Sequence, residues 1–181
     1  MRAALVNIRP VGSDGTLLAS PPPSADRVCH AVTRTLNATT LCAWSTVLPD
    51  GTAHINIGYF AYTDDLFLYL LSHPASVHCR NLAANPTMAV AVFSTAQTWT
   101  DPGRGVQLFG ICREVAPADT RDAERVYGGR FEGFPGWKST LAPGDPAVDY
   151  RFYRFVPDRL KILDEAEFGD AVFVTADIAR P

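Results

Sequence analysis

Apolar and polar positions change their spacing several times along the chain, and each change predicts an element. Val28, Val32 and Leu36 recur about four residues apart, the spacing of one helical face, with Ser24 placed to cap the helix and Asp26 near its positive end. From Thr40 to Val47 β-formers dominate, and Pro49-Asp50-Gly51 follows as a turn. Ile55, Ile57 and Tyr59 then alternate with His54, Asn56 and Gly58, which predicts a strand with one packing face and one polar face. After a turn at Thr63-Asp64-Asp65, residues 66–71 are apolar on both sides, as suits an interior strand. Ser76 to Ala84 reads as a short helix stopped by Asn85-Pro86. Residues 88–93 and 106–115 supply two more strands, joined through a polar loop that carries an exposed-looking Trp99. Residues 119–127 suit a helix, and 128–146 form a glycine- and proline-rich segment long enough to be a functional loop or lid. Residues 150–156 and 160–163 return to strand character.

Short helices among roughly six to seven antiparallel strands predict a mainly β fold closed as a barrel, not a doubly wound sheet. Residues 1–24 carry Gly12, Gly15 and the run Ser20-Pro21-Pro22-Pro23-Ser24, and are expected to be a flexible arm ahead of one domain over 25–181. The net charge of −3 gives no basic field, so nucleic acid is not an expected partner. No apolar run approaches a membrane span, and Arg9 and Pro10 interrupt the apolar start before a secretory core could form, so neither membrane nor export is expected. Cys29, Cys42, Cys79 and Cys112 lack the close pairing of a zinc or dithiol centre and read as buried thiols. With two lysines, Lys138 and Lys161, against many arginines, and abundant alanine and proline, the composition resembles that of GC-rich bacterial genomes and suits a cytoplasmic setting.

The chemistry concentrates where the apolar strand runs through Ser72-His73-Pro74-Ala75 into the helix at Ser76. Free N–H groups and the dipole at a helix start attract a phosphate; Ser72 and Ser76 add hydroxyls, His78 and Arg80 add basic groups, and no acidic residue competes in the first turn. Taken alone, the same residues are more commonly an ordinary cap with a surface histidine. His54, His73 and His78 are not expected to bind metal, and His30 reads as structural.

The order of Pro49-Asp50-Gly51, Asn56-Ile57-Gly58-Tyr59-Phe60-Ala61, Leu71-Ser72 with Ser76-Val77-His78, Asn81-Leu82-Ala83-Ala84-Asn85-Pro86 and Arg104-Gly105-Val106-Gln107-Leu108-Phe109-Gly110 resembles the pyridoxamine 5′-phosphate oxidase-like family over about residues 25–165. The resemblance implies an antiparallel, Greek-key-like split β-barrel with a few peripheral helices that binds FMN as a homodimer. It also implies cofactor contacts at Asn56, Ile57, Gly58, Tyr59, Leu71 and Ser72, phosphate contacts at Ser76, Val77 and His78, and an approach of Gly105 and Gln107 from the second subunit. Candidates for a substrate wall are Tyr59, Trp99, Arg104, Phe134 and Trp137.

Two departures bear on function. Val77-His78 stands where the oxidase has an Arg-Lys pair, and Asn56 where it has an arginine, so the positive clamp on phosphate is thinned. Pro157-Asp158-Arg159-Leu160-Lys161 replaces the vitamin B6-binding tail, which argues against B6 oxidation. The resemblance implies an FMN-dependent oxidoreductase acting on a small organic molecule, with a non-catalytic binding or storage protein for flavin, haem or a deazaflavin as the alternative.

Overall fold

Alternation of inward apolar and outward residues builds the sheet, and the computed structural model describes residues 3–180. The strands are β1 (Ala4–Val11), β2 (Leu41–Val47), β3 (Ala53–Tyr62), β4 (Leu68–Ser72), β5 (Thr87–Val92), β6 (Arg104–Glu114), β7 (Arg151–Asp164) and β8 (Phe173–Ala179). They pair antiparallel in the order β1-β8-β7-β4-β3-β2-β5-β6, and a further β6–β7 pairing closes six of them into a barrel with β8 and β1 outside the ring. The mainly β split barrel expected from the sequence is therefore present, with two strands more than its closed ring.

Inward residues Trp44, Phe60, Leu68, Val90, Leu108, Phe155, Leu160 and Ile162 form the main core. Helix α1 (Ala25–Asn37) covers one barrel end with Val28, Val32 and Leu36, and Ser24 accepts a hydrogen bond from the Arg27 N–H as its cap. Helix α2 (Val77–Ala84) is capped by Ser76, as its sequence predicts. On the outer face, helix α3 (Thr120–Arg130) and helix α4 (Phe134–Ser139) pack Tyr127 and Phe134 onto Ala61, Tyr69 and Phe152 as a second core. A short helix α5 (Glu165–Phe168) follows β7.

Three expectations change. The arm expected over residues 1–24 contains β1, paired with β8 from Ala4–Ala179 to Val11–Phe173; an irregularity between Val6 and Arg9, where Asn7 takes φ 52°, broke the alternation that would have revealed it. The two strands expected at 150–156 and 160–163 are one strand, bulged where Gly110 faces Pro157. A β-carbon at Gly110 would sit 2.6 Å from the Pro157 Cα and collide with the Val156 carbonyl, so the bulge needs glycine. Lastly, residues 128–146 are not one loop: α3 runs on to Arg130 and α4 lies within the segment.

Strand β7 exchanges partners along one edge, β4 at Arg151–Phe155 and β8 at Arg159–Leu163. Arg180 sits at that hand-over, donating to the carbonyls of Pro157 and Asp65, with its guanidinium 4.8 Å from the Phe67 ring centroid.

Candidate functional site

Strands β3 and β4 pair only at Phe60–Leu70, Ala61–Tyr69 and Tyr62–Leu68. Before Phe60, β3 stays hydrogen-bonded to β2 on its other side, while β4 leaves toward α2; residues 56–59 thus keep one free backbone edge. The opening is a cleft of about 690 Å³. Asn56, Ile57, Gly58 and Tyr59 form one wall, Leu71 and Ser72 the opposite one, and Tyr127, Phe131, Phe134, Trp137 and Tyr150 a third, aromatic side. Tyr59 meets Phe131 edge to face at 5.5 Å, and Tyr127 meets Phe131 at 4.7 Å, so the wall is a linked aromatic set. Gly58 is fitted to Trp44: a β-carbon there would lie 2.6 Å from the indole. The Trp44 indole N–H is buried without an acceptor among the described residues, an uncompensated donor at this cleft.

Beyond Ser72 lies a polar cluster. His78 Nε2 is 2.7 Å from the Ser72 Oγ and 3.0 Å from the Ser76 Oγ, while the Ser76 Oγ also accepts from the Cys79 N–H. The His78 ring packs edge to face on Trp44 at 5.6 Å. Burial, and secondarily His54, holds the His78 pKa below its ordinary value, so this histidine is neutral at pH 7. Val77 and His78, as the first helical residues, have N–H groups without intrahelical acceptors. Arg80 donates to the Ala75 carbonyl, and Glu132 is the one charged residue along the cleft. Burial pushes the Tyr127 phenol up to about 12, leaving a neutral hydroxyl.

The structure thus brings together Asn56, Ile57, Gly58, Tyr59, Leu71, Ser72, Phe134 and Trp137 in the cleft, with Ser76, Val77 and His78 at its polar end. Gly105 and Gln107 do not line it. They border a separate groove with Phe93, Gln97 and Lys161, on an outer sheet face that Ile57 shares through the pairs Ile57–Ala43, Ala43–Ala91 and Ala91–Gln107. Two candidates for the substrate wall are corrected within the single chain. Trp99 stands fully exposed on the 94–103 loop, and Arg104 donates to Asp164 at 3.0 Å, the same buried carboxylate oxygen that takes Arg34 at 2.6 Å. Trp44, Tyr127, Phe131 and Tyr150 were not foreseen; the spacing of Tyr127 and Phe131, one helical turn apart, was the available signal.

A strand edge bared beside a helix start, with aromatic rings opposite, occurs here on a chain of which residues 30–163 match the family model described as Pyridoxamine 5′-phosphate oxidase. The chain belongs to that family. Solved structures share the split barrel of the pyridoxamine 5′-phosphate oxidase family. A haem-binding protein from Mycobacterium smegmatis matches with TM-score 0.63 and 15% identity over 88% of this chain, which spans 59% of that protein's length. An FAD-binding protein from Mesorhizobium loti matches with TM-score 0.56 and 17% identity over 95% of this chain and 100% of that one. A protein titled F420 reductase matches with TM-score 0.51 and 23% identity over 70% of this chain and 93% of that one. At these identities the likeness is one of fold. No curated protein matches the sequence.

The residues present fit a flavin. Aromatic walls suit a flat ring, the free β3 edge suits its polar rim, and the Ser72, Ser76 and Val77 end suits a phosphate. The positive charge at that end, on Arg80, is turned to the Ala75 carbonyl.

Proposed function

We propose that the cleft between β3 and β4 holds FMN and that the protein is an FMN-dependent oxidoreductase acting on a small organic substrate. The observation that carries this reading is the parted strand pair: a bare backbone edge at residues 56–59 facing an aromatic wall, with a hydroxyl-lined helix start at its end. Bound flavin supplies the redox chemistry, taking up and passing on a hydride equivalent. The protein's part is placement and exclusion of water. The backbone of Asn56 to Tyr59 orients the ring rim, Phe134 and Trp137 cover the ring's open side, and the neutral Tyr127 phenol offers a proton donor without adding charge.

The working unit in this reading is a homodimer. Leu41, Ile55, Ile57, Tyr59, Phe93 and Ile111 are exposed, from 42% to 69%, on the outer face, a large apolar area for one chain to leave in water. A second copy seated there would bring Gly105 and Gln107 toward the partner's cleft. The free cysteines support a reducing, cytoplasmic setting, and no helix among the described residues is long and apolar enough to cross a membrane.

The purified protein is titrated with FMN, its fluorescence followed, and the complex then reduced with a nicotinamide donor and offered acceptors. Saturable quenching with turnover is expected, together with a dimer in sedimentation; absence of flavin binding refutes the reading. Glu132 being the only charged cleft residue favours one second reading, a flavin or deazaflavin carrier without turnover. That reading requires binding with no reoxidation beyond the oxygen background. Haem in this cleft would draw its axial ligand from Tyr59, Tyr127 or Tyr150, since no histidine, cysteine or methionine lines it among the described residues.

A further inference from the structure

The polar end of the cleft can do more than hold an anion. The basic side chain hydrogen-bonded to the Ser72 and Ser76 hydroxyls is a histidine, and the hydroxyl hydrogens have two competing uses. While His78 Nε2 carries a lone pair, a serine hydroxyl 2.7 Å or 3.0 Å away is spent donating to it. Once Nε2 carries a proton, the ring donates to the serine oxygens and releases that hydroxyl hydrogen for another acceptor. The N–H groups of Val77 and His78 already point from the same helix start. In the tautomer that carries its proton on Nδ1, uptake of a second proton therefore turns the ring from acceptor to donor, frees a serine hydroxyl and adds a positive charge.

We propose that His78 selects for a phosphate monoester by taking up a proton as the dianion binds. The inference rests on the FMN reading above and concerns which flavin the site takes. A monoester dianion repays the charging of a half-buried imidazole; the diphosphate bridge of an adenylated flavin, with its two negative charges divided one to each phosphoryl group, repays less, and riboflavin nothing.

The surrounding charges agree. Burial, and secondarily His54 from β3, lowers the His78 pKa, so the empty site stays neutral. Trp44 from β2 presents a ring edge, Ser72 from β4 a hydroxyl, and Arg80 of α2 is turned to the Ala75 carbonyl. Arg151 of β7, opposite Ser72, donates to the carbonyls of Val148 and Tyr150, and His73 accepts from the Ala75 N–H and packs on Tyr150. Arg80 and Arg151 keep their charge but spend hydrogen bonds on backbone carbonyls, which leaves His78 as the basic group within hydrogen-bond distance of both serine hydroxyls.

The test measures dissociation constants of FMN, FAD and riboflavin by flavin fluorescence between pH 7 and 9, where the FMN phosphate is a dianion throughout. FMN should weaken with rising pH, approaching tenfold per unit between the His78 pKa of the free protein and that of the complex and levelling off above the latter, while riboflavin stays flat and FAD shows a smaller slope. Calorimetry of FMN binding at pH 7.5 in buffers of differing ionisation enthalpy should show proton uptake in the unmodified protein, so the result does not depend on any variant folding. H78Q should bind FMN weakly with no slope. Tight FMN binding with a flat profile and no proton uptake overturns the inference and leaves the flavin reading standing. No binding of any of the three flavins overturns both.

Discussion

Replacing Gly58 by alanine tests the packing on which the cleft depends. The new β-carbon would lie 2.6 Å from Trp44 Cη2 and 3.1 Å from Cζ3, against roughly 3.5–4.0 Å for unstrained carbon contacts. The indole must retreat by about 1 Å. Trp44 is 4% exposed and its ring abuts His78, so the retreat presses on the Ser72–Ser76–His78 cluster. Overpacking of this kind costs about 1–3 kcal/mol. For a chain of 181 residues that corresponds to a melting point lowered by roughly 3–9 °C. Thermal unfolding of G58A, with flavin titration alongside, measures both effects, and affinity should drop together with stability. The control is G129A: Gly129 lies in α3 with nothing within 4 Å of an added β-carbon, and alanine there should stabilise by about 0.5–1 kcal/mol. If G58A melts and binds flavin as the wild type does, the fitted contact between β3 and Trp44 is not what shapes the cleft.

Further outcomes follow from other contacts. Asp164 is fully buried and accepts from Arg34 and Arg104, so D164N should destabilise by about 1.5–3 kcal/mol in urea unfolding, and a loss under 0.5 kcal/mol would show that the two arginines find equivalent partners. His78 has a pKa depressed by folding, so the unfolded chain binds the extra proton first. Its neutral form contributes stability above the unfolded value near 6.5 that is lost as pH falls below it; wild type should lose more stability than H78Q between pH 7 and pH 5, and parallel curves would refute this. W137A removes one aromatic wall and should weaken flavin binding about tenfold or more while leaving the melting point within a few degrees, since Trp137 is 40% exposed.

The barrel was legible because its strands obey a period of two: residues 54–60 and 88–93 announce themselves by alternation, and α2 by Ser76 before it and Asn85-Pro86 after it. What escaped is where that signal is broken or shared. Strand β1 is interrupted at Asn7, and β7 passes through Pro157, which reads as an end but sits at a bulge. The parting of β3 from β4 cannot be read from either strand, since it is a relation between them. Leu71 and Ser72 were placed near residues 56–59 through family resemblance, whereas Trp44 entered through the β2–β3 register, a long-range fact. Arg104 was placed on the substrate wall because its partner, Asp164, is sixty residues away in sequence and the ion pair leaves no local signal.

The hand-over divides one edge of β7 between two ladders, while β6 pairs along the whole of its other edge. The residues that carry the cleft hang on the β4 pairing, from Phe155 to Arg151, and the outer β8–β1 pair hangs on Arg159 to Leu163. Between them the ladder is replaced by a side chain, Arg180, bridging the carbonyls of Pro157 and Asp65. A single guanidinium thus works as a rivet, fastening the end of the outer pair to the turn that leads into the strand of Leu71 and Ser72.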